Sequence, residues 1–432
     1  MTESPQGLVR TIGRWSLTAL MVNSIVGVSI FKLPADLAKN LGGWSPLSCV
    51  AAGAGILVIA GCIAEVSSRY EETGGLYLYA RDALGRFVGL LVAWMTWLTR
   101  IAAPAAAANL IWTYAAKFLP GLESTSGKFL VLIVLMGHLA VFNCLGVKMG
   151  KNLSNLFTAI KVGFLVAFVI AGAWAFAARP ELRVPVALPE VSARTCFETL
   201  LLLVYAYGGF EGALFVGGES TNPKRDTPIA LLCALAVVCV IYTAVQYVTI
   251  TTLPDAGSSA RPLADAAHRF LGPAGGTAIA LAALLSGYGY LSANVLHAPR
   301  LTFALAEQGD FPAFLAKVHA KYRTPYVSIL VYATLTFVFA MVGDFRWNAL
   351  LSAVSRLAVY AAMALAVPVL RRRKEGKAQF RLPVPYLFAG LGVLYSAVLA
   401  SQMGRSEFAV MAVTSVIALA NWMVVRKTKA AN

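Results

Sequence analysis

The chain has 432 residues, of which 59% are hydrophobic and only 13% charged. A soluble chain carries about a quarter charged residues, so an ordinary soluble enzyme or binding module is excluded. The net charge of +16 would suggest nucleic acid as a partner of a soluble protein. Beside so much apolar sequence it reads instead as Lys and Arg collected in cytoplasmic loops, and no nucleic acid partner is expected.

Apolar runs of about 20 residues, enough to cross the hydrocarbon core of a bilayer, recur from one end to the other. The first ten or so residues are polar. They lack the short apolar core and small-residue cleavage site of a secretory signal, so the first apolar segment is expected to be retained. Helices are predicted near 14–37, 44–67, 86–116, 128–146, 152–177 and 196–217, then near 228–252, 274–304, 326–342, 347–370, 383–402 and 407–425. Nothing between them is long enough for a soluble domain, which predicts one all-α polytopic membrane domain over 1–432 with twelve transmembrane helices.

An even number of spans puts both termini on one side. With the termini in the cytoplasm, Lys and Arg favour cytoplasmic segments by roughly two to one. The densest cluster, Arg371, Arg372, Arg373, Lys374, Lys377 and Arg381, lies between helices ten and eleven. An inner-membrane protein with cytoplasmic termini is therefore expected. The six cysteines, Cys49, Cys62, Cys144, Cys196, Cys233 and Cys239, have neither a CxxC nor a metal-ligand spacing and read as small core residues.

Two helices are interrupted. Helix one contains IVGVSIFKLP at 25–34, with Gly27 and Ser29 mid-segment and Lys32 and Pro34 where an intact helix would still be crossing. Helix six contains YAYGGFEG at 205–212, with Gly208, Gly209 and Glu211 at membrane depth. A glycine inside a helix costs about 1 kcal/mol against Ala, and an acid at the bilayer centre costs about 2.5–3.5 kcal/mol on insertion scales. One glycine would mean close helix packing. Two breaks at corresponding places in two halves point to a transport site at the bilayer midplane. Broken backbone is tolerated there because it lines a cavity. It frees N–H groups for a carboxylate and C=O groups for an ammonium, the two ends of an α-amino acid.

These residues also resemble a known family, the amino acid–polyamine–organocation (APC) superfamily of permeases. Residues 25–31, IVGVSIF, are similar to its first-helix Gly-Ser-Gly-Ile-Phe run. Residues 64–85, AEVSSRYEETGGLYLYARDALG, resemble its second-helix exit and re-entrant loop. The strongest likeness is YAYGGFEGALFVGGESTNPKRDTP at 205–228. PRLTFALAEQGDFP at 299–312, with Thr324-Pro325, resembles the eighth helix and its link to the ninth.

The resemblance covers about residues 10–370. It implies a LeuT-like five-plus-five inverted repeat, about 14–177 and 196–370, with two peripheral helices at about 383–425, working by alternating access. One position departs from the pattern: Ser29, preceded by Val28, stands where the family has its second glycine.

By this resemblance the substrate carboxylate meets the N–H groups of Gly27, Val28 and Ser29, helped by the positive end of the second half of helix one. The ammonium meets carbonyls of Val26 and of the helix-six break near Tyr205, Ala206 and Gly208. Tyr205 matches the family's gating aromatic, with a packing tyrosine as the plain alternative. Phe210 lines the pocket or packs in the core.

Lys161 in helix five matches a lysine of proton-coupled carriers and exchangers, which stands in for the cation of sodium-coupled relatives. The alternative is a side chain snorkelling to the cytoplasmic face. Glu211 either senses protons or accepts hydrogen bonds from unwound backbone. Glu219 reads as cytoplasmic scaffold, and Ser286 and Ser292 as neighbours of the lysine or as interhelical glue. Arg100 and Arg356 lie within spans, where charge faces a cavity or a partner, and no role follows for them from the sequence.

Other classes fit less well. There is no HExxH, no GxSxG, and GLESTSGKF at 121–129 has the wrong spacing for a phosphate loop. No appended signalling domain suggests a receptor, and paired broken helices suit occlusion better than a channel. The expectation is a secondary transporter of an amino acid, neutral by preference because the presumed pocket shows no fixed charge on helices one and six besides Glu211. A cationic amino acid or polyamine is the alternative. Proton symport and exchange stay open, no cofactor or metal is expected, and a monomer in the lipid bilayer suffices.

Overall fold

The computed structural model describes residues 12–70, 75–146, 151–214, 220–373 and 378–430. Glu219, Lys374, Lys377, the first eleven residues and residues 71–74 of the second-helix exit lie outside the described residues. Among the described residues the only β pairing is an isolated bridge between Ile12 and Ser220.

The helices in chain order begin with α1 (Arg14–Ile25), α2 (Leu33–Leu41), α3 (Ser45–Ser67), α4 (Gly75–Leu84) and α5 (Arg86–Phe118). They continue with α6 (Thr125–Cys144), α7 (Lys151–Ala178), α8 (Ala193–Tyr207), α9 (Phe210–Leu214) and α10 (Pro223–Thr252). The last are α11 (Pro262–Glu307), α12 (Tyr326–Val342), α13 (Phe345–Arg372), α14 (Pro385–Ala400) and α15 (Arg405–Ala430).

Local chemistry sets these starts. Proline occupies the first turn of α2, α3, α10, α11 and α14, where its missing N–H is no loss. Ser124, Ser192 and Asp344 cap α6, α8 and α13 by accepting from Gly127 N, Thr195 N and Trp347 N, satisfying N–H groups that the helix cannot. Within α11, Gly272 at φ 74° breaks the helical path just before Pro273. The predicted helix near 274–304 is therefore preceded by a separate short run.

Among the described residues, eight helical stretches are long and apolar enough to cross a membrane. Two shorter apolar helices, Tyr326–Val342 and Pro385–Ala400, stand beside them. The apolar window of α13 is 78% buried and that of α15 only 17%, so α13 runs through the middle and α15 lies at the edge. Exposed Phe408, Val413 and Val416 on α15 suit a lipid-facing surface. The sequence reading treated 64–85 as an exit and loop; Gly75–Leu84 within it is a ten-residue helix.

Polar contacts fix α13 at one end. Glu65, at the end of α3, accepts from Arg371 Nε and Nη2 at 2.6 and 2.7 Å and from Leu382 N at 2.9 Å. A fully enclosed carboxylate tolerates burial only with such partners. The same contact ties α3, α13 and the segment leading to α14 together. Arg371, read from the sequence as part of a loop cluster, is thus partly an internal anchor.

Candidate functional site

The break after α1 is a stretch where backbone pairing lapses. Val26 N still donates to Val22 O at 2.8 Å, and pairing resumes only with Phe31 N to Val28 O at 3.1 Å in a 3-10 turn over Ser29–Phe31. Among the described residues the N–H groups of Gly27, Val28 and Ser29 enter no backbone hydrogen bond. Regular helix restarts only at Leu33, so these N–H groups belong to the linker and the 3-10 turn, not to the first turn of α2.

None of residues 26–29 has a positive φ, which explains how Val28 and Ser29 occupy positions that the family pattern gives to smaller residues. The space beside Gly27 is open: a β-carbon there would meet only Ile25 O, at 3.8 Å.

The break between α8 and α9 is tighter. Gly208 is extended (φ −78°, ψ 172°) and Gly209 has φ 112°, a conformation that glycine alone adopts at little cost. A β-carbon on Gly209 would also lie 2.3 Å from Ser24 O, so the two breaks touch directly. The Tyr242 hydroxyl on α10 lies 3.1 Å from Ile25 O and 3.2 Å from Ala206 O, joining the carbonyl ends of α1 and α8. Buried carbonyls left without a donor are costly, and the one O–H proton of Tyr242 is within reach of both.

An ion pair closes this break from the side of α13. Arg356 Nε lies 3.3 Å from Glu211 Oε1, and Arg356 Nη1 donates to Tyr205 O at 3.3 Å. Glu211 also accepts from the Tyr360 hydroxyl and, at 2.7 Å, from Gly209 N. Both charged side chains are buried. Taking them from water costs several kcal/mol each, offset only by mutual attraction and by satisfied hydrogen bonds. Gly208 makes room for the pair, since a β-carbon there would fall 1.3 Å from Arg356 Nη1.

Arg100 on α5 stands on the other flank, its Nη2 3.2 Å from where a Gly212 β-carbon would be. A cleft lined by Ala93, Thr96, Leu301, Leu305 and Glu211, with Leu76 and Tyr77 of α4, reaches this acid.

The residues singled out from the sequence fall into three groups. Val26, Gly27, Val28, Ser29, Tyr205, Ala206 and Gly208 lie at the two touching breaks. Tyr205 is buried, its ring edge-on to Phe345 (centroids 5.9 Å apart) and its hydroxyl 3.5 Å from Ala103 O. Phe210 is fully buried and stacks on Tyr360 at 5.7 Å, whose hydroxyl donates to Glu211.

Lys161, Glu211 and Ser286 are joined by no hydrogen bond or ion pair among the described residues. Lys161 Nζ donates to Asn23 O at 2.5 Å, in the last turn of α1, and so meets the first helix instead of snorkelling. Ser286 is buried with its hydroxyl unpaired, while the neighbouring Gly287 packs near Val28. Sequence reasoning missed Tyr242 and Tyr360, which are tyrosines in apolar runs with no local mark. It noticed Arg100 and Arg356 as charges at depth but could not supply their neighbours.

Residues 12–424 match the family described as Amino acid permease. The chain belongs to this family. With it comes membership of the APC superfamily: the protein is a multi-pass membrane transporter and not an enzyme. The serine/threonine exchanger of Bacillus subtilis strain 168 is 27% identical over 390 residues, covering 87% of each chain. The methylthioribose transporter of the same organism is 27% identical over 414 residues, 89% of this permease and 87% of the relative. Its branched-chain amino acid permease is 24% identical over 426 residues, 93% and 90% of the two chains.

Proposed function

We propose that this permease carries an amino acid across the cytoplasmic membrane by alternating access, as a proton symporter or an exchanger. The observation that carries the reading is the contact of two helix breaks at which backbone N–H groups of Gly27, Val28 and Ser29 enter no backbone hydrogen bond, with open space beside Gly27. Such N–H groups suit a carboxylate. The carbonyl ends of α1 and α8 suit an ammonium, as in transporters with broken helices.

In this reading the chain makes twelve spans arranged as two inverted five-helix repeats, about 14–177 and 196–370, with α14 and α15 peripheral and both termini cytoplasmic. Lys161 holds α1 in the role that a cation plays in sodium-coupled relatives, and Tyr205 gates the site. The printed names of the serine/threonine exchanger and the branched-chain permease favour an amino acid substrate, and the first of them favours exchange. Helices one and six alone favour a neutral amino acid. Arg356 and Arg100, brought in by α13 and α5, weigh against a cationic amino acid or a polyamine.

The test is thermal-shift screening of the purified protein against the twenty amino acids and common polyamines, followed by uptake into proteoliposomes. A ligand that binds the folded state raises its apparent stability by mass action. Stabilisation and uptake of amino acids support the proposal. Stabilisation by polyamines alone, or by none of these compounds together with no uptake, removes it.

A further inference from the structure

Two guanidinium groups and one carboxylate meet beside the break: Arg356 and Glu211 are buried, and Arg100 is partly exposed. Arg356 is engaged by Glu211 and Tyr205 O, yet its buried Nε makes no hydrogen bond. Arg100 acts electrostatically on Glu211 from the far side of Gly212, and among the described residues it makes no hydrogen bond or ion pair. Ala93, Thr96, Arg100 and Ala103 follow one another at three- and four-residue steps and so share one face of α5. Ala93 and Thr96 line the cleft that reaches Glu211, and Ala103 O faces the Tyr205 hydroxyl. Arg100 therefore lies between the cleft and the helix breaks. Tyr332, fully buried with its hydroxyl unpaired, lies within the field of Arg100.

We infer that the transported amino acid carries a second anionic group, a side-chain carboxylate, taken up between Arg100 and Arg356 beside Glu211. This rests on the amino acid reading above and names its substrate class. The α-carboxylate and α-ammonium of any amino acid cancel each other, so a neutral substrate leaves the excess positive charge in place. A cationic side chain adds to it. A carboxylate side chain cancels it, and the planar fork of a guanidinium matches a carboxylate with two parallel hydrogen bonds. Gly208 and Gly212 serve the same end, because the absence of side chains there leaves the room into which the two guanidinium groups extend.

The experiment is binding of L-glutamate and L-aspartate to the purified full-length protein, compared with L-glutamine, L-asparagine, L-serine, L-leucine and L-lysine. The expected result is that one of the acids binds at least about tenfold more tightly than its amide. Arg100→Gln should reduce that preference to about threefold or less while leaving the thermal midpoint of the unliganded protein near that of the wild type. Glu211→Gln gives a second and opposite readout. With the competing carboxylate removed, affinity for the acid should rise, which damage to the fold could not produce. Binding of neutral amino acids as tight as that of the acids overturns the inference and leaves amino acid transport standing. Absence of binding and uptake for all twenty amino acids overturns both.

Discussion

Arg356 on α13 reaches Glu211 with 3.3 Å between Nε and Oε1, and with its Nη1 on Tyr205 O it clamps both sides of the break between α8 and α9. Removing one member leaves the other as an uncompensated buried charge, which costs about 3–5 kcal/mol. Glu211→Ala and Arg356→Ala should each lower stability by that order in detergent. The double variant Glu211→Ala with Arg356→Ala should lose much less than the sum of the two single substitutions, because neither charge remains to be paired. Denaturation midpoints of the four proteins give the comparison. Additive losses would mean that the two side chains act independently.

Gly209 tests the geometry of the same break. Its φ of 112° and the 2.3 Å approach of a β-carbon to Ser24 O leave Gly209→Ala two penalties. Backbone strain alone is worth about 1–3 kcal/mol, and the clash has a backbone atom on the other side, which cannot swing away. We expect poor yield and a lowered melting point. An alanine variant as stable as the wild type would mean that the two breaks do not touch.

The breaks were legible in the sequence because glycine and charge at membrane depth violate an apolar pattern that is otherwise continuous. Gly27, Gly208, Gly209 and Glu211 therefore stood out, and Lys161 with them. What the sequence could not supply was the partner of each. Glu211 and Arg356 are far apart in the chain and meet only because α13 crosses beside α9. Tyr242 joins two carbonyls through its single hydroxyl, yet in the run VVCVIYTAVQYV nothing separates it from a packing tyrosine. Helices one and six alone favour a neutral substrate, while the arginines that add charge beside the break come from α5 and α13. Phe210 reads either way in the sequence, and its stacking partner Tyr360 comes from α13, far along the chain.

Tyr242→Phe isolates the link between the two breaks. It removes one hydroxyl and no volume of consequence, taking away the one donor within reach of Ile25 O and Ala206 O. A buried group stranded in this way costs about 1–3 kcal/mol. Stability should fall by that amount and substrate affinity should weaken with it, since the relative position of α1 and α8 is no longer fixed. Unchanged thermal midpoint and affinity would show that the hydroxyl bridges nothing.

Gly27 separates ligand binding from folding. A β-carbon on it would meet only Ile25 O, at 3.8 Å, and its φ is not positive, so the first carbon of a side chain displaces no protein atom. Gly27→Val should reach the membrane and keep its unfolding free energy within about 1 kcal/mol of the wild type, the ordinary spread for a substitution without a clash. Binding should nevertheless be lost, because the valine fills the volume through which a carboxylate reaches the N–H groups of Gly27, Val28 and Ser29. A thermal-shift titration on wild type and variant reads both quantities from one sample. Retained ligand-induced stabilisation in the valine protein would take helix one out of the binding site, whereas a protein that fails to fold would show that the open space is filled by packing in the membrane.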